Sequence, residues 1–376
     1  MPSTDLDLAR AFAGLTDPRI DRTKRHELTD IVVIALCATI CGADSWVDVE
    51  AFGQAKQDWL NGFLKLPNGI PSHDTFTRVF AALDPAEFQR SFAAWMAAAC
   101  AATGLVQIAI DGKAVRGARR NTFSGRLHLV SAWATENRLI LGQVAVPDLA
   151  NEQAAIPELL KVLDLAGAVV TLDAAGCHAD IAARIVGEGG EYVLALKDNQ
   201  PLLRQAVAAR FGAVIEAGPP AAGYDRHEER DTGHGRAETR TCEVLRDVAG
   251  LPGQADWPRL ATIAVVCRVC RVGETETTDV RYFLASLDAE AATLLALVRG
   301  HWGIENQLHW VLDVAFREDA NKTRAGHAGE NLAWLRRIAL SLIQATPGKG
   351  SVKGKRLKAG WDEAFLTKVL GQLLDI

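Results

Sequence analysis

Between Ile31 and Ala43 the chain runs thirteen residues almost without a polar side chain, and on either side apolar residues recur at helical spacing among charged ones. A segment apolar on most sides predicts a buried helix over Asp30–Cys41. Trp46–Phe63 reads as an amphipathic helix with a charged face, and Ser72 stands where it would cap a helix over Asp74–Leu83. To about residue 100 the pattern is that of packed helices with short connections. At Val106 the period shortens to that of strands: Val106–Ile110, Leu127–Ala134 and Leu139–Val146. A helix over Glu152–Leu165, a strand over Ala168–Leu172, a helix over Asp180–Glu188 and a strand over Tyr192–Leu196 follow. From 201 to 287 this alternation is broken by Pro219-Pro220, a polar run Asp225–Arg240, and strands over Thr241–Leu245, Ala261–Val269 and Val280–Ala285. A helix over Ala289–Leu312 comes next. The pattern is that of an α/β chain.

Composition narrows the setting. The 376 residues suggest two or three domains and ample core. Thirteen apolar residues fall short of the roughly 20 that span a bilayer, and the start lacks the pattern of a secretory signal, so the expectation is a cytoplasmic protein without membrane association. Seven cysteines, an odd number, argue against a disulfide framework. Cys267 and Cys270 form a CxxC with no second ligand pair at zinc spacing, Cys37 and Cys41 read as small core residues, and Cys177-His178 as a structural pair.

Three carboxylates stand in contexts suited to chemistry. Asp111 ends the apolar strand in Ile108-Ala-Ile-Asp-Gly-Lys, Asp173 ends Val169-Val-Thr-Leu-Asp, and Glu305 lies inside His301-Trp-Gly-Ile-Glu-Asn-Gln-Leu-His-Trp. Strand tips and a helix face supply the rigid oxygen ligands that a pair of hard cations needs for phosphoryl transfer. Ala109-Ile-Asp-Gly-Lys-Ala-Val-Arg-Gly, Leu127-His-Leu-Val-Ser-Ala-Trp, Ala155-Ile-Pro-Glu-Leu-Leu, Thr171-Leu-Asp-Ala-Ala-Gly-Cys, Tyr192-Val-Leu-Ala-Leu-Lys-Asp-Asn-Gln, Gly233-His-Gly-Arg-Ala-Glu-Thr-Arg and His301 through Asp319 occur in one order. In these blocks the chain resembles DDE transposases of bacterial insertion sequences, the ISAs type that includes the H-repeat-associated proteins. The resemblance implies an RNase H-like catalytic core with a β-rich insertion at about 201–287, following an N-terminal helical domain over 1–104. It also implies Mg2+ or Mn2+ held by Asp111, Asp173 and Glu305, and DNA cleavage and joining at element ends. Three strands followed by alternating helix and strand fit such a core, with the strands of Asp111 and Asp173 side by side. Asp313, Glu318 and Asp319 are rival third ligands. Of the wider superfamily's Tyr-Arg-Glu-Lys signature, the positions Val298, His301, Glu305 and Leu312 keep only the glutamate.

A net charge of −5 is unusual for a DNA-binding protein, so positive charge must be local. Candidates for contacting double-stranded DNA are Lys113, Arg116, Lys197 and Asn199 near the carboxylates; His234 and Arg236 in the polar run, where Arg236, Glu238 and Arg240 alternate on one strand face; His309; and Lys353, Lys355 and Arg356 in a basic segment that also reads as a solvated loop. Asp198 stands where family members often carry glycine and would repel phosphate unless it points away. Leu149-Ala-Asn-Glu replaces a frequent Lys-Ser-Asn-Glu. Ser72, His73, Thr75 and Arg78 resemble the exposed start of a recognition helix, which would place end recognition before residue 105 and the chemistry after it. A homodimer on DNA is a further expectation. Two alternatives stay open: a nuclease of this fold that cuts without joining, and an inactive DNA-binding homologue.

Overall fold

The computed structural model describes residues 12, 14–92, 96, 106–119, 126–146, 151–218, 222–233 and 235–372. Helix α1 (Leu28–Cys41) is buried from Asp30 through Ile40, as its uniform apolarity requires. Gly42, at φ 115°, closes it in a left-handed conformation. The single helix expected over Trp46–Phe63 is broken at Lys56 into α2 (Trp46–Ala55) and α3 (Gln57–Leu60). Helix α4 (His73–Ala82) starts after Ser72, but the Ser72 hydroxyl does not cap it; it pairs with Thr75 Oγ1 at 3.2 Å, while the Glu50 carboxylate accepts the His73 N–H at 2.8 Å.

These helices share a core with the end of the chain. Trp46 stacks on Phe80 at 4.6 Å, and Asn331 of α10 (Ala328–Ala345) donates to the carbonyls of Phe80 and Leu83. One hydrophobic cluster joins α1 and α4 to α10, α11 (Val352–Trp361) and α12 (Glu363–Gly371). Among the described residues no single helix is long and apolar enough to cross a membrane.

Among the described residues the strands form one nine-stranded sheet in the order β3-β2-β1-β4-β5-β9-β8-β7-β6. β1 (Gln107–Arg119) pairs antiparallel with β2 (Arg126–Ala134), and β2 with β3 (Leu139–Ala145). β1 runs parallel to β4 (Val169–Leu172), which runs parallel to β5 (Glu191–Leu196). Helices α5 (Glu152–Leu160) and α6 (Ala179–Gly187) cover one face, where Ile108, Ile110, Val170 and Leu172 point. Strand alternation sends Ala109 and Asp111 to the other face.

Two departures from the sequence reading concern this sheet. β1 does not end at Asp111: pairing continues, with Asp111 opposite Ser131 and Lys113 opposite Leu129, because Val115 returns to the core. Residues 201–217 form a helix, α7, in which Leu203, Val207 and Phe211 make a narrow buried stripe while Leu202 and Ile215 are exposed and obscure the pattern. The remaining strands extend the same sheet, β9 (Thr275–Ala285) pairing with β5, then β8 (Thr262–Val272), β7 (Arg236–Leu245) and β6 (Tyr224–Gly233). Helix α8 (Ala291–Gly303) lies across the Asp111 face. At Gly300 a Cβ would stand 2.1 Å from Gln107 Oε1, so a larger residue there would have to displace the Gln107 amide from its place between β1 and α8.

Candidate active site

Ile110 is in register with Leu172 across the parallel β1–β4 pair, so Asp111 and Asp173 are the next residues on neighbouring strands, which lie about 4.8 Å apart in a sheet. Both line the same open cleft of about 510 Å³, as does Glu305, whose carboxylate lies within 4.8 Å of that of Asp111. The Asp173 carboxylate accepts the Ala175 N–H at 2.9 Å, which fixes the turn after β4. Asn199 donates its amide to the carbonyls of Ala174 at 2.9 Å and Cys177 at 3.1 Å. It therefore braces the Asp173 turn, in place of the phosphate contact expected of it. Cys177 is buried and its thiol is pushed up to about 12 by burial, which makes it inert.

Glu305 is the second residue of a π-turn (Ile304–His309) between α8 and α9 (Trp310–Phe316). Such turns replace i→i+4 with i→i+5 hydrogen bonds and recur at functional sites. Here His309 Nδ1 lies 3.3 Å from Glu305 Oε2 and 3.4 Å from Asp111 Oδ2. The hydrogen bond from His309 holds the Glu305 carboxyl below its ordinary range. Only 3% exposed, His309 sits between two carboxylates and has no DNA-facing surface, contrary to the sequence reading. Burial pushes the Asp111 carboxyl up to about 6, with His309 opposing and Asp173 and Glu152 reinforcing the shift. His301, pulled down to about 4 by burial, pairs with Thr171 Oγ1 at 3.1 Å, and Thr171 in turn accepts from Gln107.

The rival ligands have another task. Lys113, buried at 8% exposure, places its ammonium 2.7 Å from Asp313, 3.1 Å from Asp319 and 3.5 Å from Glu318. Burial works against its charge, but the carboxylates more than offset this and raise its pKa. Glu318 is fully buried and also bonds Arg337 at 2.6 Å. Lys113 is thereby withdrawn from the DNA contacts expected of it, and Asp313, Glu318 and Asp319 from the candidate ligands. Arg116, two residues beyond Gly-Lys-Ala, remains exposed and only loosely paired with Asp319 at 3.3 Å.

Lys197 is exposed at the cleft edge, and Asp198 is answered by Arg204 at 3.2 Å. A second groove of about 400 Å³ continues from the cleft through Asp279, Arg281, Val298 and Trp302. It is lined by Arg236, Arg240, Arg268, Arg281 and Arg299 against only Glu238 and Asp279, which makes it positive in an acidic protein. Glu238, 3% exposed, bonds Arg268 and Arg240 and so is not the exposed strand position the sequence suggested. Arg281 lies 4.6 Å over the half-exposed Trp302 ring. Residue 234, the other candidate of the polar run, lies outside the described residues.

The basic segment is helical. Ser351 caps α11 by accepting the Gly354 N–H at 3.1 Å. Lys355 donates to the carbonyls of Ile343 and Thr346, and the buried Arg356 donates to Thr39 O at 2.8 Å with its guanidinium 3.9 Å from the Phe316 ring centre. Neither is available to a phosphate; Lys353 alone of the three is exposed.

Sequence reasoning missed Glu152 and the Arg281–Trp302 pair. Glu152 takes the His128 ring at 2.7 Å and lies against Gly112, where a Cβ would stand 2.2 Å from its Oε1. Its one signal is an acidic residue at a helix start just after a strand. Arg281 and Trp302 gave none, since only the β9–α8 packing brings them together.

Comparison with known proteins adds to this geometry. A family model described as DDE_Tnp_1-associated matches residues 9–96, and one described as Transposase DDE domain matches residues 102–342. The chain is 35% identical over 369 residues to "Putative transposase YncI" of Escherichia coli O157:H7, covering 96% of this chain and 94% of that one. It is 36% identical over 352 residues to "H repeat-associated putative transposase YhhI" of Escherichia coli strain K12, covering 92% of each. It is also 41% identical over 281 residues to an uncharacterized protein in the dhlA 3′ region of Xanthobacter autotrophicus, covering 74% of this chain and 94% of that one.

Proposed function

The chain belongs to the DDE-domain transposases of the H-repeat-associated group, and from that premise we propose that it cuts and joins double-stranded DNA at the ends of an insertion sequence, in the cytoplasm, using Asp111, Asp173 and Glu305. The observation that carries this reading is the parallel register that makes Asp111 and Asp173 the next residues on neighbouring strands, with Glu305 lining the same cleft. We read β3-β2-β1-β4-β5 as an RNase H-like core on the strength of that strand order.

The donor set suits hard divalent cations such as Mg2+ or Mn2+, because it offers carboxylate oxygens on a rigid sheet and a helix. When bound, a metal pair lowers the pKa of an attacking water or 3′-hydroxyl and stabilises charge on the leaving oxygen. The chain's own residues position that chemistry. Asn199 and the Ala175 N–H hold the Asp173 turn, while the π-turn aims Glu305 at Asp111.

The arginine groove, lined in part by Arg236, leads into the cleft at Arg281 and is our proposed path for the DNA strand, with Lys197 contributing in the cleft and Arg116, exposed on β1, as a further contact. Ser72, His73 and Arg78 are exposed at the start of α4 and are assigned to end recognition. Two copies would bring two ends together.

The test is metal-dependent nicking of plasmid DNA carrying the flanks of the reading frame. The wild-type protein nicks it with Mg2+ or Mn2+, and Glu305→Gln abolishes nicking while retaining the gel shift. Undiminished nicking by Glu305→Gln overturns the assignment.

A further inference from the structure

We infer that His309 is a direct nitrogen ligand of a divalent cation held with Asp111 and Glu305, and that this nitrogen biases the site toward Mn2+ over Mg2+. This rests on the proposed reading of the carboxylates as a metal site and adds to it a ligand of a different chemical kind.

Geometry carries the inference. His309 Nδ1, an Asp111 carboxylate oxygen and a Glu305 carboxylate oxygen all lie within 4.8 Å of one another, with the ring nitrogen 3.4 Å from Asp111 Oδ2 and 3.3 Å from Glu305 Oε2. Ligands about 2.1 Å from an octahedral ion stand about 3.0 Å apart when adjacent and about 4.2 Å when opposite, so these spacings converge on one ion with little movement. The ring is 3% exposed, and its position is set by the π-turn that also presents Glu305.

The second nitrogen imposes no competing tautomer. His309 Nε2 is buried and has no hydrogen-bond partner among the described residues. A metal-bound Nδ1 must leave its proton on Nε2. Because Nε2 is unpaired in either tautomer, that shift forfeits no hydrogen bond at Nε2. The ring's polar commitments run toward the two carboxylates alone.

Chemistry supplies the selectivity. Mg2+ strongly prefers oxygen ligands and near-ideal octahedral geometry, whereas imidazole favours transition metals, among which Mn2+ still accepts carboxylates and water. An all-oxygen set would discriminate less between the two ions.

The experiment uses the full-length protein with Mn2+ alone as probe. Pulsed EPR should show a directly coordinated 14N in the wild type, converted to a 15N pattern by 15N-histidine labelling. His309→Gln should lose that coupling while still binding Mn2+. By competition binding, His309→Gln should weaken Mn2+ at least roughly tenfold, the scale seen when a group supporting a metal is removed, and Mg2+ by less. Wild-type Mn2+ binding without nitrogen coupling overturns this inference and leaves the carboxylate site standing. Nitrogen coupling that persists in His309→Gln also overturns it, transferring the ligand to another histidine. Failure of the wild type to bind Mn2+ at all defeats both readings. If His309→Gln does not fold, the labelled wild-type spectrum decides for or against nitrogen ligation, and His309→Asn assigns the residue.

Discussion

Replacing Asp111 with asparagine should make the protein more stable at neutral pH and above while abolishing its activity. Burial holds the folded carboxyl at about 6, against an ordinary value of 3.8. A raised folded pKa contributes stability that is fully present below about pH 4 and lost as pH rises through about 6. At roughly 1.4 kcal/mol per pKa unit, two units amount to about 3 kcal/mol of strain in the ionised site. The Asp111 side chain keeps 22% of its exposure, so about 2 kcal/mol is a fair expectation for the isosteric, uncharged amide. With an unfolding entropy near 2.1 cal/mol/K per residue, that gain raises the melting temperature of a chain this long by about 3 °C. The assay is thermal unfolding of wild type and Asp111→Asn in EDTA from pH 4 to pH 8. The difference should be near zero at pH 4, grow through pH 5–6 and level off above pH 7. Added Mn2+ should then stabilise the wild type more than the variant. A variant no more stable than wild type at pH 8, or a gain that is the same at pH 4, would refute the reasoning that the site stores carboxylate strain.

Other perturbations separate structural charges from DNA-facing ones. Arg356→Ala should cost about 2–4 kcal/mol, since it removes a buried guanidinium from Thr39 and Phe316, whereas Lys353→Ala should be neutral for stability; urea titration distinguishes them. Combined neutralisation of Arg236 and Arg268 should lower the slope of log affinity against log salt by about 0.9 for each phosphate left without its arginine, and an unchanged slope would remove the groove from the DNA path. A fragment beginning at residue 105 should fail to fold cooperatively, because α10 would lose the α1 and α4 partners of its core; a soluble fragment with a sharp melt would contradict this.

Much of the sheet was legible because alternation and helical spacing are local properties. The strands carrying Asp111 and Asp173 announced themselves through apolar runs reaching a carboxylate, whereas Glu305 was singled out among rival carboxylates by the resemblance of its block. What escaped reading depends on partners distant in sequence. Asp111-Gly-Lys113 looks like a strand leaving the core, yet Lys113 stays buried because Asp313, Glu318 and Asp319, some two hundred residues away, neutralise it. Lys355 and Arg356 look solvated for want of visible acceptors; the acceptors are backbone carbonyls of α10 and α1. His309 reads as a DNA contact that shares a helix face with Glu305; that it is buried and also reaches Asp111 depends on β1, which no local pattern reveals. Helix α7 was hidden by exposed Leu202 and Ile215, which blur its buried stripe.

The proposed unity of Asp111, Asp173 and Glu305 as one site for metal-dependent cutting and joining of DNA has a direct consequence. It is tested most directly by strand transfer of DNA carrying the flanks of the reading frame into a target plasmid, comparing wild type with Asp173→Asn at matched DNA occupancy. Joined product is expected from the wild type only with Mg2+ or Mn2+, and none from Asp173→Asn despite an unchanged gel shift. Metal-dependent joining that survives in Asp173→Asn would contradict it.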